Sequence, residues 1–148
     1  MSDIVIREYK NNDWLDVSNI HDKARPVELD GSCDEKAFVP LATDKKDLEN
    51  FTSSKKFVAC ANNEIIGFVG LIEHEITWLY VEPGESRKGI GRLLLQYALN
   101  IMEAKATTYV LEGNKAARSL YHSEGFNVEG TFNSTNNGYP CVVLKLTQ

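Results

Sequence analysis

The sequence predicts an α/β protein: a mixed β-sheet with helices on both faces, forming a single domain over residues 1–148. Three observations predict it. Strand-length apolar segments and helical patterns follow one another in the order βααβββαβαββ. Hairpin signals crowd the first half, whereas the second half carries a strand-helix-strand crossover, which makes its two strands parallel and the connection right-handed. The stretch opening at Ile90 has one continuous apolar helix face.

Ile4 to Tyr9 reads as a first strand, apolar at its start. Asn12 or Asp13 is placed to cap a helix carrying Trp14, Val17, Ile20 and Ala24. Pro26 disfavours helical geometry for Arg25, so this helix is expected to end there. Residues 26–42 read as irregular, with Pro26, Gly31 and Pro40. Loops carry function disproportionately, so residues 25–42 are the candidate substrate-facing segment. Thr43 or Asp44 caps a second helix through Leu48 and Phe51.

Phe57 to Ala61 and Ile65 to Ile72 form a hairpin around Asn62-Asn63, a pair that tolerates positive φ. A third strand, Ile76 to Val81, stops at Pro83-Gly84. Then Ile90, Leu93, Leu94, Tyr97, Ala98, Ile101 and Met102 recur at helical spacing. Thr107 to Leu111 is a strand, and a helix runs from about Asn114 to Gly125. Phe126 to Val128 and Pro140 to Leu146 close the chain as an antiparallel pair around a turn-rich loop, Asn133 to Gly138.

The composition is that of an ordinary globular chain, 43% hydrophobic and 25% charged. No apolar run is long enough to cross a bilayer, and the first residues do not form a secretory signal. A cytoplasmic location is therefore expected, without membrane attachment. Cys33, Cys60 and Cys141 stand far apart with no CxxC pair, so neither a metal site nor a disulfide framework is expected. The net charge of −5 argues against general nucleic-acid binding.

A local anion site is still possible, and one stretch points to it. In Arg87-Lys88-Gly89-Ile90-Gly91-Arg92, two glycines bring bare backbone to a helix start, where unpartnered N–H groups and the positive dipole end suit phosphate. Arg87, Lys88 and Arg92 add three positive charges. A diphosphate ligand follows, although the spacing matches neither a P-loop nor a full GxGxxG fingerprint.

Val81-Glu82-Pro83 followed by this loop resembles the acetyl-CoA loop of GNAT-type N-acetyltransferases. Downstream, Asn114, Ala117, Tyr121, Gly125 and Phe126 resemble that family's second hallmark, N-x-x-A-x-x-x-Y-x-x-x-G-F. The element order is similar along nearly the whole chain. Ser86 departs from the family pattern, which has Gln or Arg there, so backbone N–H groups and Arg87 are expected to carry the phosphate binding.

The resemblance implies the GNAT acyl-CoA N-acyltransferase fold, with central parallel strands that splay apart. It implies acetyl-CoA as co-substrate, and cofactor contacts from Leu79, Tyr80, Val81, Arg87, Lys88, Gly89, Ile90, Gly91, Arg92, Asn114, Ala117 and Tyr121. Leu79 and Val81 would offer main-chain groups to pantetheine, and the Val81 N–H would polarise the thioester carbonyl. Tyr121 would donate a proton to the departing thiolate, though its spacing equally fits a core aromatic. Glu75, six residues before Val81, is the expected general base; Glu73, His74, Glu82 and Tyr80 are further candidates.

The reaction implied is direct attack of an amine in a ternary complex, because no Cys or Ser lies beside an evident His base. The acceptor is an amine of a small molecule or a protein, and residues 25–42 with the Asn133–Tyr139 loop are expected to line its side. Glu28, Asp30, Asp34 and Glu35 lean toward a cationic acceptor. A homodimer through the last strand is possible on the sequence. Rival readings are a catalytically silent acyl-CoA-binding module and a nucleotide site at the basic loop.

Overall fold

The computed structural model describes residues 3–85 and 88–148. Seven strands form one sheet in the order β1-β2-β3-β4-β5-β7-β6. These are β1 (Ile4–Glu8), β2 (Lys55–Ala61), β3 (Glu64–Ile72), β4 (Glu75–Val81), β5 (Thr107–Leu111), β6 (Asn127–Asn136) and β7 (Tyr139–Thr147). Every neighbouring pair is antiparallel except β4 and β5, which are parallel. Helices α1 (Trp14–Leu29) and α2 (Lys45–Ser53) cover one face. On the other face lie α3 (Ile90–Ile101) and α4 (Lys115–Ser123).

The expected element order is therefore observed, and each face has its own core. Phe57, Val69, Leu94, Tyr121, Phe126 and Leu144 pack beneath α3 and α4. Val17, Ile20, Phe51, Phe68 and Trp78 pack beneath α1 and α2. The β2–β3 turn is made as expected by Asn62 (φ 53°) and Asn63 (φ 65°), both left-handed, which matches the twist of the flanking strands.

Four local expectations are corrected. Helix α1 does not stop at Pro26 but contains it. A proline removes one helical hydrogen bond and crowds the carbonyl four residues back, yet the turn beyond it buries Leu29 and pairs Arg25 with Glu28. The helix ends at Leu29, and the chain turns away through Gly31 (φ +75°), with the N–H groups of Ser32 and Cys33 both returning to the Leu29 carbonyl at 2.9 Å.

Neither Asn12 nor Asp13 caps α1 through its side chain. Asp13 accepts instead from Arg7 (2.8 and 3.0 Å) and from the Lys10 N–H (2.8 Å). On α3, Leu95 takes the buried place assigned to Leu93, leaving Leu93 and Ile101 exposed. The face that packs is Ile90, Leu94, Leu95 and Ala98.

Finally, the stretch from Asn133 to Asn136 is strand, not loop, and the turn shrinks to Asn137 and Gly138. Backbone pairing with β7 from Asn133↔Val142 to Asn136↔Tyr139 holds this polar segment at the sheet edge, where its side chains are largely exposed.

Candidate active site

Strands β4 and β5 pair over two residues only, Glu75↔Thr107 and Ile76↔Thr108. Beyond that they part, because β5 stays registered with β7 along all five of its residues. The Thr108 hydroxyl donates to the Ile76 carbonyl (2.9 Å) at the point of divergence. On the other edge of β4 the register with β3 jumps from Gly70↔Trp78 to Leu71↔Ile76, so Thr77 is an extra, bulged residue. The bulge resets which residues face which core: Trp78 and Tyr80 join the α1/α2 side, whereas Leu79 and Val81 join the α3/α4 side.

Main-chain polarity follows from the same register. The Glu82 N–H reaches back to the Ile66 carbonyl on β3 (2.8 Å). Backbone groups alternate between the two edges of a strand, so Tyr80 also faces β3, whereas Leu79 and Val81 present their N–H and C=O groups to the gap beside β5. Such groups ordinarily require a partner. Of the three β4 residues expected at the cofactor, Leu79 and Val81 thus face the gap. Tyr80 has its backbone in the β3 ladder, and its hydroxyl donates to Glu28 (2.8 Å).

The gap opens into a cavity of about 470 Å³ lined by Glu75, Leu79, Val81, Gly91, Ala117 and Tyr121, among others. Tyr121 is buried with its ring against Phe126, centroids 5.1 Å apart. Burial holds its hydroxyl pKa well above the ordinary value; the neighbouring Thr108 hydroxyl pulls it down and the Glu28 charge adds to the rise. The group is thus a neutral donor at physiological pH. Burial also pushes the Glu75 carboxyl above its ordinary 4.5, eased by the charge of Lys145. The other base candidates stand apart from the cavity lining or are engaged: Glu73 and His74 are exposed in a turn, and Glu82 pairs with Lys23 (3.2 Å).

At the glycine loop, Gly89 has φ +81° and precedes α3 without any side-chain cap, so the first N–H groups of the helix stay open. A Cβ on Gly91 would find only ordinary contacts, Leu120 at 3.5 Å and Val81 at 3.7 Å. Packing of the chain therefore does not demand glycine there, while bare backbone suits close approach of a ligand. The Ile90 side chain is in the core, leaving its N–H to serve the loop. Lys88 pairs with Glu85 (2.8 Å), and Arg92 with Glu124 (2.5 Å) and Ser123 (2.8 Å). Arg87 and Ser86 lie outside the described residues.

Asn114 caps α4, accepting the Ala117 N–H (3.2 Å), and its amide donates to Glu28 (3.4 Å). Glu28 is thus a junction that sequence reasoning saw only as part of an acidic lean. Its carboxylate receives Arg25, Tyr80 and Asn114, while Arg25 also donates to Asn136 at the end of β6 (3.0 Å). Arg25 and Glu28 from the 25–42 segment, and Asn136 from the 133–139 segment, line the cavity. Asp47 and Asn50 of α2 line it too; neither was singled out as a site residue, Asp47 falling only within a loose acidic excess from Glu28 to Glu49. Among the described residues, no three His, Cys, Asp or Glu side chains gather as a metal set, and no helix is long and apolar enough to cross a membrane.

Comparison with known proteins points to one family. The family described as "Acetyltransferase (GNAT) domain" matches residues 52–128, a little over half of the chain. A peptidyl-lysine N-acetyltransferase, YjaB of Salmonella typhimurium, is 32% identical over 84 residues, covering 57% of this chain and 57% of that protein. The chain thus matches little more than half the length of its curated relatives. Among solved structures, a GCN5-related N-acetyltransferase from Rhodopseudomonas palustris superposes with a TM-score of 0.87 at 16% identity, over 100% of this chain and 96% of that one. The PaiA N-acetyltransferase of Thermoplasma acidophilum, solved in complex with coenzyme A, gives 0.73 at 22% identity over 97% and 98%. The matched span holds the divergent strands, the glycine loop and the Asn114–Phe126 motif together, and on that ground the chain belongs to the GNAT acetyltransferase family.

Proposed function

We propose that this protein transfers the acetyl group of acetyl-CoA to a primary amine by direct attack in a ternary complex. One observation carries the reading: the β4–β5 gap presents the main-chain groups of Leu79 and Val81 to a cavity that Tyr121 and Glu75 also line. The co-substrate supplies an acetyl group activated as a thioester. Open N–H groups at the start of α3 fit its diphosphate, and the gap fits an extended arm that pairs with β4 as a missing strand would.

Within that frame each residue has a stated task. The N–H of Leu79 or Val81 donates to the carbonyl oxygen as negative charge develops there. Glu75 takes the proton released as the amine nitrogen bonds to the acetyl carbon. The C–S bond breaks, and the sulfur leaves as a thiolate that accepts a hydrogen bond from the Tyr121 hydroxyl and then takes a proton from solvent. At about 3.3 Å per residue, Glu75 is roughly 20 Å along β4 from Val81 and roughly 13 Å from Leu79. A water chain must then link Glu75 to the amine, and a carbonyl polarised at Leu79 has the shorter path.

The YjaB relative is named for peptidyl-lysine as acceptor. The test is release of free thiol from acetyl-CoA across a panel of amines and lysine peptides. Turnover supports the transferase; tight coenzyme A binding with no turnover throughout the panel would favour a silent acyl-CoA-binding module.

A further inference from the structure

Among the described residues, four charged side chains line the cavity: Arg25, Glu28, Asp47 and Glu75. Arg25 and Glu28 pair with each other and are further satisfied by Asn136, Tyr80 and Asn114. Asp47 and Glu75 are different. Among the described residues neither belongs to an ion pair, although both are partly buried. The charges that reach them from a distance are engaged elsewhere: Lys145, felt by Glu75, is held by Glu129 at 3.5 Å. Arg25 and His21, both felt by Asp47, are held by Glu28 and by Asp22. Asp44 stands beside Asp47 and makes the local field more negative.

Desolvating a carboxylate without a counter-charge is costly, and burial accordingly raises the pKa of both groups. Acetyl transfer to one amine releases one proton and so employs one base. The second carboxylate has no task in that chemistry, and the wall it occupies has a net charge of −2 once Arg25 and Glu28 cancel. Trp78, Tyr80 and Tyr109 add aromatic rings to the same lining, and ring faces attract cations.

We propose that the acceptor is a small aliphatic diamine, one nitrogen attacking as the free amine while the other, still an ammonium ion, is held by Asp47. This rests on the acetyl-transfer reading above. A protein lysine delivers one ammonium on a bulky chain and leaves Asp47 unanswered, whereas a diamine brings a second ammonium for Asp47 into the cavity of about 470 Å³, while Glu75 keeps its role as base.

The test compares putrescine with n-butylamine, which has the same four-carbon chain and one nitrogen fewer, by initial rates of coenzyme A thiol release. The expected result is a kcat/KM for putrescine about tenfold or more above that for n-butylamine, the worth of one charge-assisted contact. In Asp47→Asn, checked for folding by its thermal melt, the ratio should fall to within about threefold of unity. The wild-type comparison stands on its own if that variant does not fold. Equal use of the two amines, or preference for a lysine peptide over putrescine, overturns this inference and leaves the transferase reading intact. No thiol release with any acceptor overturns both.

Discussion

Tyr121 separates chemistry from packing, and two substitutions divide the roles. The residue is 4% exposed, its ring meets Phe126 edge to face, it lines the cavity, and its hydroxyl lies beside Thr108. Tyr121→Phe keeps the ring and removes only the donor. Because burial raises the hydroxyl pKa far above that of a thiol, complete proton loss is uphill. The main contribution is then a hydrogen bond to sulfur as negative charge gathers on it. Hydrogen bonds to charged groups are worth about 1.5–3 kcal/mol, which at 1.36 kcal/mol per decade predicts a fall in kcat of about ten- to 150-fold. The thermal midpoint should hardly move. Tyr121→Ala should cost about 3–5 kcal/mol of stability through the buried cavity it leaves. Steady-state thiol release and thermal melts read the two effects. A Tyr121→Phe enzyme with wild-type kcat would refute the donor role and leave Tyr121 a core aromatic.

Three further outcomes are expected. Glu75→Gln should lower kcat/KM about 10²-fold or more, and the wild-type profile should show an acidic limb above the ordinary carboxylate value of 4.5. Its folded pKa exceeds its unfolded one, so its ionisation removes stability as pH rises through that window, and Glu75→Gln should melt no lower than wild type near pH 7; a loss of stability together with full activity would contradict both points. Gly89→Ala puts a Cβ into open space but at φ +81°, so it should cost about 1–2 kcal/mol of backbone strain and weaken desulfo-coenzyme A binding, measured by calorimetry; unchanged binding would exclude the loop. Asp13 is held below its ordinary 3.8 chiefly by the Arg7 guanidinium, so this contribution is complete above pH 3.8 and is lost as pH falls through the lowered pKa. Asp13→Asn should therefore cost about 1–2 kcal/mol at pH 7, a melt lower by about 2–8 °C, with the difference shrinking in acid.

Much of the fold was legible because local rules decided it. The Asn62-Asn63 turn, the Asp44 cap on α2 and the Asn114 cap on α4 each follow from a residue's own conformational preference or its side-chain reach. The glycine loop at an uncapped helix start was legible for the same reason. Local rules failed where a tertiary contact outweighed them. Pro26 reads as a helix end, but burial of Leu29 and the Arg25–Glu28 pair carry the helix past it. Asn133 to Asn136 read as loop, since an edge strand with an exposed face shows no hydrophobic alternation and is recognised only by its ladder with β7.

What the sequence by itself determined was the order of elements, the phosphate-suited loop and the family motifs, all properties of neighbours in the chain. The tertiary structure alone decided which groups meet in the cavity. Arg25 of α1, Asp47 of α2, Glu75 of β4, Tyr121 of α4 and Asn136 of β6 are scattered over more than a hundred residues and share one lining. Their meeting depends on β5 following β7 away from β4 and on a bulge at Thr77 that resets the facing of Leu79 and Val81. Pairing register between distant strands is set by the packing of the whole sheet, and no short window of residues encodes it.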